Sequence, residues 1–169
     1  MAHAKIIGID ASEALSMPGV IAVLTAADVD MEPAKPSIPL LNQDMRRPFL
    51  AIDVVRFVGD PIAMIISETK EQGIDAAETV VVDYDPLPAV LDVADALTDA
   101  TVLFPEAKTN VVFTLPTPAD PSIFTDCEVV VELAIENQRV APAPMEVRAA
   151  AATWDGKRLT QWACSQGAH

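Results

Sequence analysis

The side chains in this sequence that can do chemistry are few and scattered. The two histidines, His3 and His169, stand at opposite ends, so a Ser-His-Asp arrangement has no supported base. Cys164 and His169 can be drawn as a thiolate and its base, although chance proximity is the plainer account. Asp83 and Asp85 flank Tyr84; they read either as an acid pair or, more simply, as turn-forming carboxylates. Arg46-Arg47 offers an anion contact or a solvated loop pair. Gly59-Asp60-Pro61 holds too few glycines to cradle a phosphate. No spacing of Cys, His or carboxylate reads as a metal-ligand set.

Composition narrows the partners. The chain has 169 residues, 51% of them hydrophobic and only 5% aromatic, with a mean hydropathy of +0.29. Such a chain is not disordered, and at this length it can bury about 68–70% of its unfolded surface, in a core built on Val, Ile, Leu and Ala. Its net charge of −14, with 11 basic residues scattered among 25 acids, supplies no cluster to neutralise phosphates. Nucleic acid and anionic membrane are therefore excluded as expected partners. No run reaches the roughly 20 apolar residues of a membrane span, and the first residues lack the basic and apolar regions of a signal peptide, so the expected location is cytoplasmic. Cys127 and Cys164 make no disulfide framework; their apolar neighbours predict reduced, buried thiols.

The elements that must position any site centre on Val54–Leu91. Pro61–Ile66 is an apolar run of strand length, introduced by the turn chemistry of Gly59-Asp60-Pro61. Thr69-Lys70-Glu71-Gln72 has the form of a capping box, which predicts a helix over Thr69–Thr79 with Ile74 and Ala77, and Ala76 at the margin, on its apolar side. Gly73 costs that helix roughly 1 kcal/mol against alanine, so packing must hold it. Val80-Val81-Val82 returns to strand and ends at Asp85-Pro86-Leu87-Pro88.

Before this unit, Ala4–Asp10 and Val20–Leu24 read as strands, with Ser12 capping a short helical turn between them and Thr25–Asp28 forming another. Asp30–Pro48 is a proline-punctuated loop. After it, Asp92–Thr98 reads as a short helix and Asp99–Asp126 as an irregular connector that contains the domain boundary. From Cys127 the pattern is all-β. Glu128–Glu136 alternates Val129, Val131, Leu133 and Ile135 against glutamates, which predicts a half-buried antiparallel strand. Asp155-Gly156 between apolar runs predicts a hairpin.

Several segments resemble the large subunit of molybdenum hydroxylases, the family of aerobic carbon monoxide dehydrogenases, xanthine dehydrogenases and aldehyde oxidases. They are Ala2–Ile6 (AHAKI), Pro18–Val20, Val23–Asp28 (VLTAAD), Val58–Ala63 (VGDPIA), Ala76–Glu78 and Val82–Val90 (VDYDPLPAV). Further along, Asn137–Arg148 (NQRVAPAPMEVR) and Trp162–His169 (WACSQGAH) continue the match, with Cys164 at a place where the family carries a smaller hydroxyl residue.

The resemblance implies an α/β (α+β) chain. Residues 1–126 would form a hammerhead-type α/β domain, and residues 127–169 the truncated start of a molybdenum cofactor-binding domain with its first antiparallel strands. It implies that Gln166 contacts the cofactor, its neutral amide orienting an oxo ligand without adding charge. The family's glycine-rich cofactor segment, later pterin-binding segments and glutamate base have no counterpart here, and family members carry sequence before Ala2. The implied parent is therefore a longer oxidoreductase that hydroxylates a small substrate with water as oxygen source. It would carry molybdenum-molybdopterin and pass electrons to iron–sulfur and flavin partners. This chain alone is expected to be inactive, to bind no cofactor, and to self-associate as a homo-oligomer through open strand edges. The alternative is a free-standing, non-enzymatic acidic binding or assembly module.

Overall fold

A computed structural model describes residues 1–116, 120–138, 140 and 143–164. Contacts divide the chain into two units, Met1–Pro118 and Ala119–His169. In the first unit, strand β1 (Ala4–Asp10) lies between β3 (Val54–Val55) and β5 (Val81–Pro86), antiparallel to both. Ala4 sits opposite Val55 on one side and Pro86 on the other. It is fully buried and forms a small core with Ala51 and Val55, against which Ile6, Ile62 and Tyr84 pack. An irregularity in the β1–β5 register between Ile6 and Gly8 displaces the alternation by one residue, so that Ile9 rather than Gly8 is half-buried. Beyond β5, His3 holds the proline-rich exit: its carbonyl accepts from Leu87 N at 3.0 Å, and its Nδ1 lies 2.7 Å from the Pro88 carbonyl.

A second sheet pairs β2 (Val20–Thr25) with β4 (Ala63–Ser67), antiparallel. Two helices pack against it, α1 (Ser12–Ser16) and α2 (Lys70–Thr79). The expected capping box is formed at the start of α2. Thr69 Oγ1 accepts from Gln72 N at 3.3 Å, and Gln72 Oε1 accepts from Thr69 N at 3.0 Å, satisfying two N–H groups that the first turn leaves unpaired. A third helix, α3 (Val93–Leu97), is capped by Asp92, whose carboxylate accepts from Ala94 N and Asp95 N.

The inner face of α2 differs from the sequence expectation. Ala76 is its only buried residue, whereas Ile74 is 51% exposed and Ala77 also faces outward. The reason is proximity. A Cβ on Gly73 would lie 2.7 Å from Ser67 Oγ at the end of β4, so only the smallest side chains fit against the sheet and the larger ones turn away. The partner helix follows the same rule, since its buried residue is Ala14. Ser12 is likewise not a cap. It is the first helical residue, and its N–H donates to Asp10 Oδ1 at 2.9 Å. Asp83 and Asp85 are neither a turn nor a packed acid pair; they occupy exposed positions along β5.

The second unit contains one described ladder, β6 (Ala150–Trp154) antiparallel to β7 (Leu159–Ala163). The hairpin forms where Asp-Gly signals it. Gly156 has a φ of +95°, which favours glycine. Asp155 Oδ1 accepts from Lys157 N at 2.9 Å and Arg158 N at 2.7 Å. The strand expected over Glu128–Glu136 does not form: no ladder includes these residues, and Val129, Val131, Leu133 and Ile135 are 76–82% exposed. Alternation alone cannot make a strand, because its backbone groups need a neighbouring chain to bond. Cys127 and Cys164 are free, as expected, but exposed rather than buried. From Asp120 to Cys164 every described residue is exposed except Thr160.

Four exposed aspartates order local turns, and in each case the hydrogen bonds hold the carboxyl below its ordinary range. The donors are the Ser12 hydroxyl and N–H for Asp10, and the Thr25 N–H and hydroxyl for Asp28. The Ser122 hydroxyl and N–H act on Asp120, and the Arg158 and Lys157 N–H groups on Asp155.

Two predictions follow from these contacts. Alanine at position 73 adds helix propensity but displaces Ser67 Oγ, which donates to the Thr69 carbonyl at 2.7 Å. Gly73→Ala should therefore be neutral or destabilising in the native background, and stabilising by about 0.5–1 kcal/mol in Ser67→Ala. Equal effects in both backgrounds, measured by urea unfolding, would refute the clash. For the aspartates, a carboxylate with a lowered folded value stabilises its turn fully above the unfolded value of about 3.9, and that contribution is lost as pH falls through the lowered value. Carboxyl-carbon NMR should give midpoints below about 3.9 for all four; midpoints at or above it would contradict these hydrogen bonds.

Candidate functional site

The residue singled out by resemblance, Gln166, lies outside the described residues, as does His169. The structure does describe the hairpin that leads to them. The β6–β7 register runs from Trp154 opposite Leu159 to Ala150 opposite Ala163. It continues one step further through the Cys164 N–H, which donates to the Ala149 carbonyl at 3.2 Å. Cys164 therefore emerges from an ordered ladder two residues before Gln166. Glu146, Ala149–Ala151 and Trp162–Cys164 line an open recess on this hairpin.

Other residues read from the sequence fall elsewhere. The Arg47 guanidinium carbon lies 4.7 Å from the Phe57 ring centroid, a cation–π arrangement, and Arg46 is exposed beside it. Each borders a cleft of the first unit, and Pro48 and Phe104 line all of these clefts. The cleft beside Arg46 measures about 480 Å³, and Asp44, Asp53, Arg56 and Glu106 also line it, so its charge is mixed rather than anion-selective. The Gly59-Asp60-Pro61 turn serves the backbone. Gly59 has a φ of +96°, and Asp60 Oδ2 accepts from Arg56 N at 3.0 Å.

Sequence reasoning passed over Arg56, Phe104, Asp99 and Asn110. Arg56 Nε donates to the Leu103 carbonyl at 2.7 Å, 47 residues away in sequence, and its guanidinium lies 4.9 Å from the Phe104 ring centroid. The one local signal was a lone arginine inside an apolar stretch of β3 and its following turn. Nothing in the sequence named its distant partner.

Comparison with known proteins assigns these elements. The family model described as aldehyde oxidase and xanthine dehydrogenase, a/b hammerhead domain, matches residues 1–88. The model of the molybdopterin cofactor-binding domain matches residues 103–169. The nicotine 6-hydroxylase large subunit of Paenarthrobacter nicotinovorans is 35% identical over 175 residues, covering 99% of this chain and 21% of that protein. The carbon monoxide dehydrogenase large chain of Hydrogenophaga pseudoflava is 35% identical over 188 residues, covering 100% of this chain and 23% of that protein. In structure, quinoline 2-oxidoreductase from Pseudomonas putida 86 matches with a TM-score of 0.83 and 31% identity, over 98% of this chain and 22% of that one. The chain thus spans about a fifth of the length of these relatives.

The described residues do not by themselves fit a molybdopterin. Those nearest Gln166 are exposed on nearly every side chain, so they form no enclosed cradle. Among the described residues there is also no cluster of His, Cys, Asp or Glu able to hold a metal ion, and no helix long and apolar enough to cross a membrane. Two family models in sequence order, and alignments that run along this whole chain at about a third identity, settle the relationship: the chain belongs to the aldehyde oxidase and xanthine dehydrogenase family of molybdenum hydroxylases, carrying its hammerhead domain and the start of its cofactor-binding domain.

Proposed function

We propose that this chain is the front part of the large, molybdenum-bearing subunit of a hydroxylase that oxidises a small substrate with oxygen drawn from water. The observation that carries this reading is the order of the two family matches, residues 1–88 and then 103–169. Relatives named as large subunits or large chains support it along the whole chain. The first unit has its own small core and acts as a structural body. The second has almost none and supplies strands to a larger domain. Where the chain divides is part of the same proposal: the boundary read from the sequence lies at 126 and 127, the contact units are Met1–Pro118 and Ala119–His169, and the cofactor-domain match begins at residue 103.

Gln166 is the residue assigned to the cofactor. It stands two residues past the β6–β7 ladder, and a neutral amide can orient an oxo group by hydrogen bonding while adding no charge. The parent would work in the cytoplasm and pass electrons to iron–sulfur and flavin partners. Chemistry needs a preorganised shell, and among the described residues none is assembled, so the reading has the isolated chain inactive by itself.

The test is the native gene product, detected in its source cell with antibody raised against this chain. The reading predicts a band between four and five times 18.0 kDa, as the coverage of relatives implies, with molybdenum co-purifying. In that product Gln166→Leu should lower turnover about 10–100-fold while the variant still folds. A band at 18.0 kDa would overturn the reading and leave a free-standing module, and unchanged turnover in Gln166→Leu would remove that residue from the site.

A further inference from the structure

We infer that residues 99–112 form a strap latched to the hammerhead body by Arg56, so that the first stretch of cofactor-domain sequence is held by the unit that precedes it. The hammerhead match ends at residue 88 and the cofactor-domain match begins at 103, yet the contacts of the strap are with the first unit, Met1–Pro118. The inference rests on the family assignment alone and not on any substrate or activity.

The strap is closed internally by a side-chain knot. Asp99, with a left-handed φ of +54°, accepts from Thr109 Oγ1 at 2.8 Å and from Asn110 N at 2.7 Å. The Asn110 amide uses both its ends. Its Oδ1 accepts from Leu103 N at 3.0 Å, and its Nδ2 donates to the Thr101 carbonyl at 2.8 Å and the Ala96 carbonyl at 3.2 Å. The last bond ties the knot to α3. No strand ladder runs through the stretch, so these side chains replace the backbone pairing that a sheet would provide.

Arg56 then fastens the knot to the body. Its N–H is held by Asp60, its Nη1 reaches the Val54 carbonyl at 3.4 Å, and its Nε donates to the Leu103 carbonyl at 2.7 Å. The same guanidinium stacks on Phe104. A planar fork can bond a carbonyl in its plane while covering a ring with its face; an ammonium has no such face and no fixed fork. A second fastening closes the far end, where Asn42 N donates to the Val112 carbonyl at 2.8 Å. Arg56 and Asn110 are thus positioning residues for the point at which the chain leaves the body.

Amide hydrogen exchange on the full chain tests this. In Arg56→Lys, exchange at Leu103, Ala107, Lys108 and Asn110 should rise about tenfold or more, while the β1 and β5 amides keep their native rates. Asn110→Ala, which removes the three bonds of the side-chain amide without touching β3 and leaves the bond from Asn110 N to Asp99, should release Leu103, Ala107 and Lys108. Unchanged strap exchange in either variant would overturn the latch. So would an equal rise across β1 and β5 in Arg56→Lys, since Arg56 would then be general support for the body. Neither outcome depends on whether the parent is a hydroxylase.

Discussion

The layer of β2, β4 and the two helices on it depends on one close approach, where the turn at Gly19 meets the start of α2. Gly19 has a φ of +79°, and a Cβ there would fall 2.1–2.3 Å from the side-chain amide of Gln72. That amide is the same group that caps Thr69. Glu68 N donates to the Gly19 carbonyl at 2.8 Å, so the chain on both sides of the cap is tied to the turn. Gly73 then brings the helix onto Ser67, and Ala76 fills what space is left. The helix is short, contains a glycine and has only one buried residue. Propensity would not hold it in water, and the contact does.

The second unit shows the opposite condition. Its hairpin has a sound turn and a continuous ladder, but both faces are open to solvent. A two-stranded ribbon is marginal without a third strand or a packed layer. The segment 128–136 carries the right alternation for such a strand, with valines, leucine and isoleucine on one side and Glu128, Glu132 and Glu136 on the other. Its apolar side chains remain exposed. The proposed function accounts for such a surface as strands that a larger domain would cover, and the chain spans about a fifth of the length of its relatives.

What the sequence made legible was local. The capping box at Thr69–Gln72, the strands Ala4–Asp10 and Val20–Leu24 (the latter running on to Thr25), the Asp92 helix and the Asp155-Gly156 hairpin each rest on residues within a few positions of one another, and each forms. Expectation and structure part where distance in space decides. Hydrophobicity points Ile74 and Ala77 inward, but the gap between helix and sheet holds Gly73 and Ala76. Apolar neighbours point Cys127 and Cys164 inward, but those neighbours are themselves exposed. Arg56 and Leu103 are 47 residues apart, and neither carries a mark of the other. The assignment of Gln166 rests on resemblance alone and stays a proposal, because one amide beyond the described residues has no distinguishing chemistry of its own.

The first unit holds its own small core, whereas the exposed apolar side chains between Asp120 and Cys164 call for a covering surface. Light scattering on the isolated chain over a range of concentrations is the measurement to make. A mass above 18.0 kDa that grows with concentration is expected, as the open strand edges and apolar faces pair between copies. A monodisperse 18.0 kDa monomer at every concentration would contradict it.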